Sequence, residues 1–189
     1  MIIYFIRHSE TIWNKKGILQ GHKDSPLTLK GKGCAEKIGK RLKKENIKRI
    51  YSSDLGRCVQ TAEIINQYLK VDLFKTSSLR ERNFGDFNGY PANFVKTELD
   101  FFNVDEKAPN GESWNKTKER VTKFISLLSK KKLDKILLVI HEGSLRAILA
   151  EYYQVNFWSS KCDSLDEMIY SFEMKNNTIK RGVLSTIVV

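Results

Sequence analysis

Two short runs constrain this chain more than any other feature: IIYFI at 2–6 and ILLVI at 136–140, apolar without alternation. A strand with one face in water alternates polar and apolar residues. One that does not alternate is covered on both faces, as in a parallel sheet flanked by helices. Further strand candidates are 49–52 (RIYS), 168–174 (MIYSFEM) and 178–187 (TIKRGVLSTI); the last two flank Asn176-Asn177, a pair suited to a tight hairpin turn. Between the strands lie amphipathic patterns: Ala35, Ile38 and Leu42 in 31–45, Val59, Ala62, Ile65 and Leu69 in 55–69, and Val121, Phe124, Ile125 and Leu128 in 112–130. Lys130, Lys131 and Lys132 close the last of these, where cations meet the negative end of the helix dipole. Strands alternating with helices predict an α/β fold: a three-layer α/β/α sandwich with a mainly parallel central sheet and an antiparallel hairpin late in the chain. At 189 residues, a single domain over 1–189 is expected.

The formal net charge of +11 would suit nucleic acid, an acidic membrane surface or a small anionic substrate. The lysines are spread along the chain, with no clustered basic stripe and no interleaved aromatics, so nucleic acid is not the expected partner. No stretch approaches the ~20 apolar residues that a bilayer requires, and the N-terminal run lacks the cationic region of a signal peptide. Cytoplasmic residence without a membrane partner is the default. Cys34, Cys58 and Cys162 match no zinc, redox or disulfide pattern; Cys34 and Cys58 fall within helical patterns and read as small core residues.

In an open α/β sheet, ligands bind beyond the carboxyl ends of the parallel strands. Three reactive clusters fall there. Strand 2–6 ends in Arg7 and His8. Strand 49–52 runs into SSDLGR, with Arg57 in the first turn of the next helix. Strand 136–140 delivers His141 and Glu142, then Gly143 and another helix. The third histidine, His22, lies in a polar loop and reads as solvated.

The blocks RHSETIWN, QGHKDSPLTLKGK, YSSDLGRCVQTAEII, LRERNFGDFNG and IHEGSLRAIL resemble, in order and spacing, the motifs of the histidine phosphatase superfamily, the phosphoglycerate mutase-like group. The resemblance extends from Ile2 to about Leu149. It implies that His8 is a nucleophile that becomes phosphohistidine, with Arg7, Arg57 and His141 holding the phosphoryl oxygens. It further implies that Glu81 is the proton donor to the leaving oxygen and then the base for water. Asn14, Gln20 and Gly21 would complete the phosphate cradle, with Gly143 beside it.

The chemistry of these residue types agrees. A phosphate monoester carries about −1.5 to −2 charges at neutral pH, and arginine forks match it without risk of deprotonation. The nucleophile must be neutral imidazole, and adjacent guanidiniums favour that form. Phosphoryl transfer is mostly positioning and charge stabilisation, so neither a metal nor another cofactor is expected. Glu81 must be protonated when substrate is bound, which burial and a nearby dianion would both promote. Taken alone, it could equally be read as a surface carboxylate paired with Arg80 or Arg82.

Two positions depart from the family's pattern. Ser9 replaces a usual glycine and would be strained if the site needs positive φ. Glu142 follows the second histidine where a small residue is usual, and its carboxylate would repel substrate unless it points away. Residues 83–112 are expected to cap the site, with Phe84, Phe87, Phe94, Phe101 and Phe102 as candidates for contact with the organic part of the substrate. The interval from Arg82 to Ile140 lacks the adjacent arginine pair of the family's mutases. The expected function is therefore hydrolysis of a small phosphorylated metabolite, by a broad-specificity or α-ribazole 5′-phosphate phosphatase-like enzyme. The alternatives are a phosphoglycerate mutase and a non-catalytic phospho-ligand binder. The oligomeric state is open between monomer and homodimer.

Overall fold

The computed structural model describes residues 1–131, 133–153, 168–175, 178–180 and 187–188. Its strands are β1 (Ile2–Arg7), β2 (Arg49–Ser53), β3 (Asp72–Thr76), β4 (Lys135–Ile140), β5 (Met168–Lys175), β6 (Thr178–Lys180) and β7 (Ile187–Val188). The helices are α1 (Ile12–Lys15), α2 (Leu29–Leu42), α3 (Gly56–Leu69), α4 (Ala92–Glu98), α5 (Trp114–Ser129) and α6 (Glu142–Tyr153). The sheet runs β3-β2-β4-β1-β5-β6, with β7 paired to β5. Its first four strands are mutually parallel, and β5 is antiparallel to both β1 and β6.

The apolar runs of β1 and β4 are explained by what covers them. Ile3, Phe5, Ile136, Leu138 and Ile140 face Val121, Ile125 and Leu128 of α5 and Leu145 and Ile148 of α6. Tyr4, Ile6, Leu137 and Val139 face Ala35, Ile38 and Leu42 of α2 and Cys58, Ala62 and Ile65 of α3. Successive side chains point to opposite faces, so a strand with helices on both sides is apolar at every position. This is the expected three-layer sandwich. Thr28 caps α2 by accepting from the Gly31 N–H, and Ser113 caps α5 by accepting from that of Lys116.

Strand β3 escapes the sequence reading because it is an edge strand. Asp72, Phe74 and Lys75 are exposed, so its pattern has no apolar run to detect. The late hairpin is present as the β5–β6 pairing, while its turn at Asn176-Asn177 lies outside the described residues, as do Cys162, Lys132 and much of 178–187. No helix among the described residues is long and apolar enough to cross a membrane.

The strand order sets up the site. β2, β4 and β1 are neighbours, so the chain segments that leave their carboxyl ends emerge within about 10 Å of one another. His8 begins there, its N–H donating to the Ile140 carbonyl at 2.9 Å.

Candidate active site

Arg7, His8, Asn14, Gln20, Gly21, Arg57, Glu81 and Gly143 line one cavity of about 540 Å3. His8 is 4% exposed, and its Nδ1 lies 3.0 Å from the Ser9 carbonyl oxygen. A carbonyl only accepts, so Nδ1 carries the hydrogen and Nε2 keeps its lone pair. Burial, then the charges of Arg57 and Arg7, hold the His8 pKa well below the usual imidazole range. The ring is therefore neutral at physiological pH, with one nitrogen free to attack. Ser9 is not strained: among the described residues, positive φ outside glycine occurs at Asn46, Lys70 and Asn110. Its N–H donates to Thr61 Oγ1 at 3.1 Å.

His141 stands behind His8, fully buried, with ring centroids 5.3 Å apart. It does not line the cavity itself. Its Nε2 lies 2.8 Å from Ser53 Oγ and 3.3 Å from Cys58 Sγ. Burial and the Arg57 charge depress its pKa as well. Cys58 thus touches His141 as well as the core, and burial pushes its thiol pKa up.

Arg57 is 1% exposed, in the first turn of α3. Nη1 donates to the Lys23 carbonyl and to Asp24 Oδ1, each at 2.8 Å, and Nη2 donates to the Gly21 carbonyl at 2.9 Å. Its Nε is buried with no protein acceptor. Such donors are rare in folded proteins, and the residue that carries this one lines the cavity. Gly21 has φ +51°, and a Cβ there would stand 1.7 Å from Asn88 Oδ1, so only glycine brings this carbonyl beneath the guanidinium. Asn14 and Gln20 join through Thr11: the Thr11 N–H donates to Asn14 Oδ1 at 3.0 Å, and Gln20 Nε2 donates to Thr11 Oγ1 at 2.9 Å.

Glu81 is no surface carboxylate. Arg80 pairs with Asp54, and Arg82 points elsewhere. Glu81 Oε1 accepts from the Arg82 N–H at 2.8 Å and Oε2 from the Gly143 N–H at 3.1 Å. Burial outweighs these two bonds and raises its pKa. Gly143 therefore positions the Glu81 carboxyl: its N–H is taken by Glu81, and a Cβ on it would collide with Glu81 Oε1.

Residues 83–112 form the opposite wall. Phe84, Phe101 and Phe102 line the cavity together with Leu19, Leu99 and Trp114. Phe87 and Phe94 do not line it; they belong to a ring cluster with Tyr90.

Several contributors were not anticipated. His22, expected to be solvated, is half-buried, with Nε2 3.0 Å from the Glu81 carbonyl oxygen. Arg82 is fully buried, 4.6 Å beneath the Trp114 ring, and donates to the carbonyls of Glu112 and Glu106. Desolvation lowers its pKa to about 10, still far enough above neutrality to keep its charge. Arg120 donates to the carbonyls of Ser78 and Arg80 and to Glu112, which fixes the loop carrying Glu81. Arg146 and Lys96 also line the cavity. The i,i+4 spacing of Glu142 and Arg146 was the available signal for the former. Among the described residues, no group of three or more His, Cys, Asp or Glu side chains could hold a metal ion.

Comparison with known proteins follows the same lines. The family model described as "Histidine phosphatase superfamily (branch 1)" matches residues 3–181. A "Probable phosphoglycerate mutase GpmB" of Salmonella arizonae is 34% identical over 167 residues, covering 84% of this chain and 78% of that protein. Among solved structures, Bacillus stearothermophilus YhfR superposes with a TM-score of 0.85 at 27% identity, covering 97% of this chain and 96% of its own. The α-ribazole phosphatase of Shigella flexneri shares the fold, with a TM-score of 0.82 at 23% identity over 100% of this chain and 96% of its own. The chain belongs to branch 1 of the histidine phosphatase superfamily.

Proposed function

We propose that the protein is a phosphomonoester hydrolase that works through a phosphohistidine on His8. The observation that carries this reading is the pairing, in one cavity, of a neutral imidazole whose Nε2 is free with a partly buried glutamic acid whose pKa is raised. One supplies a nucleophile, the other a proton, and each is shifted toward the protonation state its role needs.

In the first step, His8 Nε2 attacks phosphorus, the ester P–O bond breaks, and Glu81 gives its proton to the departing oxygen. In the second, ionised Glu81 takes a proton from water as that oxygen attacks phosphorus. The P–N bond breaks and inorganic phosphate leaves. Arg7 and Arg57 neutralise the equatorial oxygens, with His141 supporting from behind. Because guanidiniums supply that charge, the step needs no metal ion. The ring-lined cap suits an ester whose alcohol part is a ring or another largely apolar group, among small phosphorylated metabolites.

The test is a screen of phosphorylated metabolites for released phosphate, run beside His8→Ala. Turnover by the wild type and none by the variant is expected; equal release by both would overturn the reading. A second reading, phosphoglycerate mutase, is favoured by the name of the 34% identical relative from Salmonella arizonae. Incubation of 3-phosphoglycerate with 2,3-bisphosphoglycerate separates the two. Hydrolysis yields free phosphate, whereas rapid formation of 2-phosphoglycerate would establish the mutase.

A further inference from the structure

Glu142 opens α6 directly after His141, and its carboxylate bridges two guanidiniums. Oε2 lies 3.5 Å from Arg7 Nη2, and Oε1 accepts from Arg146 Nε and Nη2 at 3.2 and 3.1 Å. All three side chains line the cavity, so the carboxylate does not point away from it. It contacts the guanidinium that would grip the phosphoryl group.

The charges around the cavity give this placement its meaning. Arg7, Arg57, Lys96 and Arg146 line it, against Glu142 and Asp100, while Asp24 holds Arg57 from behind at 2.8 Å. With Glu81 protonated, a surplus of one positive charge remains. A phosphate group of about −1.5 to −2 exhausts that surplus. Any second anion on the same substrate then enters a cavity with no net positive charge left to meet it, beside a carboxylate already seated on Arg7.

We infer that Glu142 is a specificity-determining residue that rejects phosphate esters bearing a second anionic group near the ester oxygen and selects those whose alcohol part is neutral. This rests on the phosphomonoesterase reading and names the substrate class within it. Like charges facing each other across a binding surface suppress the wrong partner. At an effective dielectric near 20, one unit charge a few ångström from a bound carboxylate changes affinity by at least about tenfold. The competing role, a helix-surface pair that merely anchors Arg146, would leave discrimination between substrates untouched.

Glycerol 3-phosphate and 3-phosphoglycerate test this, because they differ only in a CH2OH group against a carboxylate. The readouts are kcat/KM for each ester with wild type, Glu142→Gln and Glu142→Asp, and dissociation constants for each by calorimetry in a His8→Ala background. The wild type is expected to favour glycerol 3-phosphate, by a margin that shrinks as salt is raised. Glu142→Gln should narrow that preference by about tenfold, and Glu142→Asp, which keeps the charge, should preserve most of it. A ratio that Glu142→Gln leaves unchanged, or a wild type that prefers 3-phosphoglycerate, overturns the inference. If no ester in the metabolite screen is hydrolysed while the binding ratio still moves with Glu142→Gln, the hydrolase reading falls and the role of Glu142 stands. If hydrolysis proceeds and neither ratio moves, the reverse holds.

Discussion

On the floor of the cavity, the reactive groups are held by main-chain atoms: His8 by the Ser9 carbonyl, Glu81 by the N–H groups of Arg82 and Gly143, and Arg57 by the carbonyls of Lys23 and Gly21. Across the gap, the cap is built from side chains. Phe84 and Phe101 stack at 5.8 Å, Trp114 meets Phe84 edge-on, and Phe102 at the rim is 75% exposed. Backbone contacts fix a group to within a fraction of an ångström, which phosphoryl transfer demands. Ring contacts tolerate different occupants, which a variable leaving group demands. The floor is suited to one reaction and the cap to a range of alcohols, so changes on the two sides should fail differently: floor variants in kcat, cap variants in KM.

The largest effect is expected from Arg57→Met. It removes a buried charge from the transition state and leaves the Gly21 carbonyl without its donor, so kcat should fall by about 10³-fold or more. A loss below tenfold in steady-state assays would place the phosphate elsewhere. Next comes Glu81→Gln, which should lower kcat by about 10²–10⁴-fold on an alkyl phosphate and much less on p-nitrophenyl phosphate, whose leaving group needs little protonation. The pH profile has a definite sign. Because burial raises the Glu81 pKa, activity should persist above the ordinary carboxylate range and decline as pH rises through that value. Because the His8 pKa is depressed, activity should also survive well below pH ~6.5 before the imidazole protonates. The alkaline decline should disappear in Glu81→Gln; its persistence would reassign the acid.

Gly143→Ala sharpens the same side at smaller cost. A methyl that collides with Glu81 Oε1 must displace the acid, so kcat should drop by about 10–100-fold, with the loss again greater for alkyl than for aryl esters. The smallest effect belongs to the cap. Phe101→Ala should raise KM for aryl phosphates by about 3–10-fold with kcat nearly constant, since it removes binding common to ground and transition states. A pure kcat effect would erase the distinction between floor and cap.

The legibility of the sequence followed the same division. Arg7, His8 and His141 could be read because each sits at the end of a strand with a strong apolar signal, and the order of strands does the assembling, whereas Glu81 follows the edge strand β3 and was reached only through the family resemblance. Gly143 was visible, yet its partner was not, because no spacing reveals that its N–H would meet a carboxylate from a segment some sixty residues earlier. Arg82 was hidden for a related reason: a guanidinium that binds backbone carbonyls leaves no complementary side chain to notice, and Arg120 pairs with Glu112 from eight residues away, a spacing that marks no helical pair. His22 looked solvated because its neighbours are polar, but the loop folds back over Glu81. In the cap, aromatic content pointed to contact with substrate, while the division of Phe84, Phe101 and Phe102 from Phe87 and Phe94 is set by tertiary packing, since only Phe94 lies in α4 and the other rings sit in or beside turns.

The most direct test is to catch the covalent intermediate. Wild type mixed with excess aryl phosphate, quenched within the first turnovers in alkali to preserve an N–P bond, and mapped by mass spectrometry should carry one phosphoryl group, on His8. Phosphate on His141 or His22, or full turnover with no phosphorylated enzyme at any time point, would contradict the account.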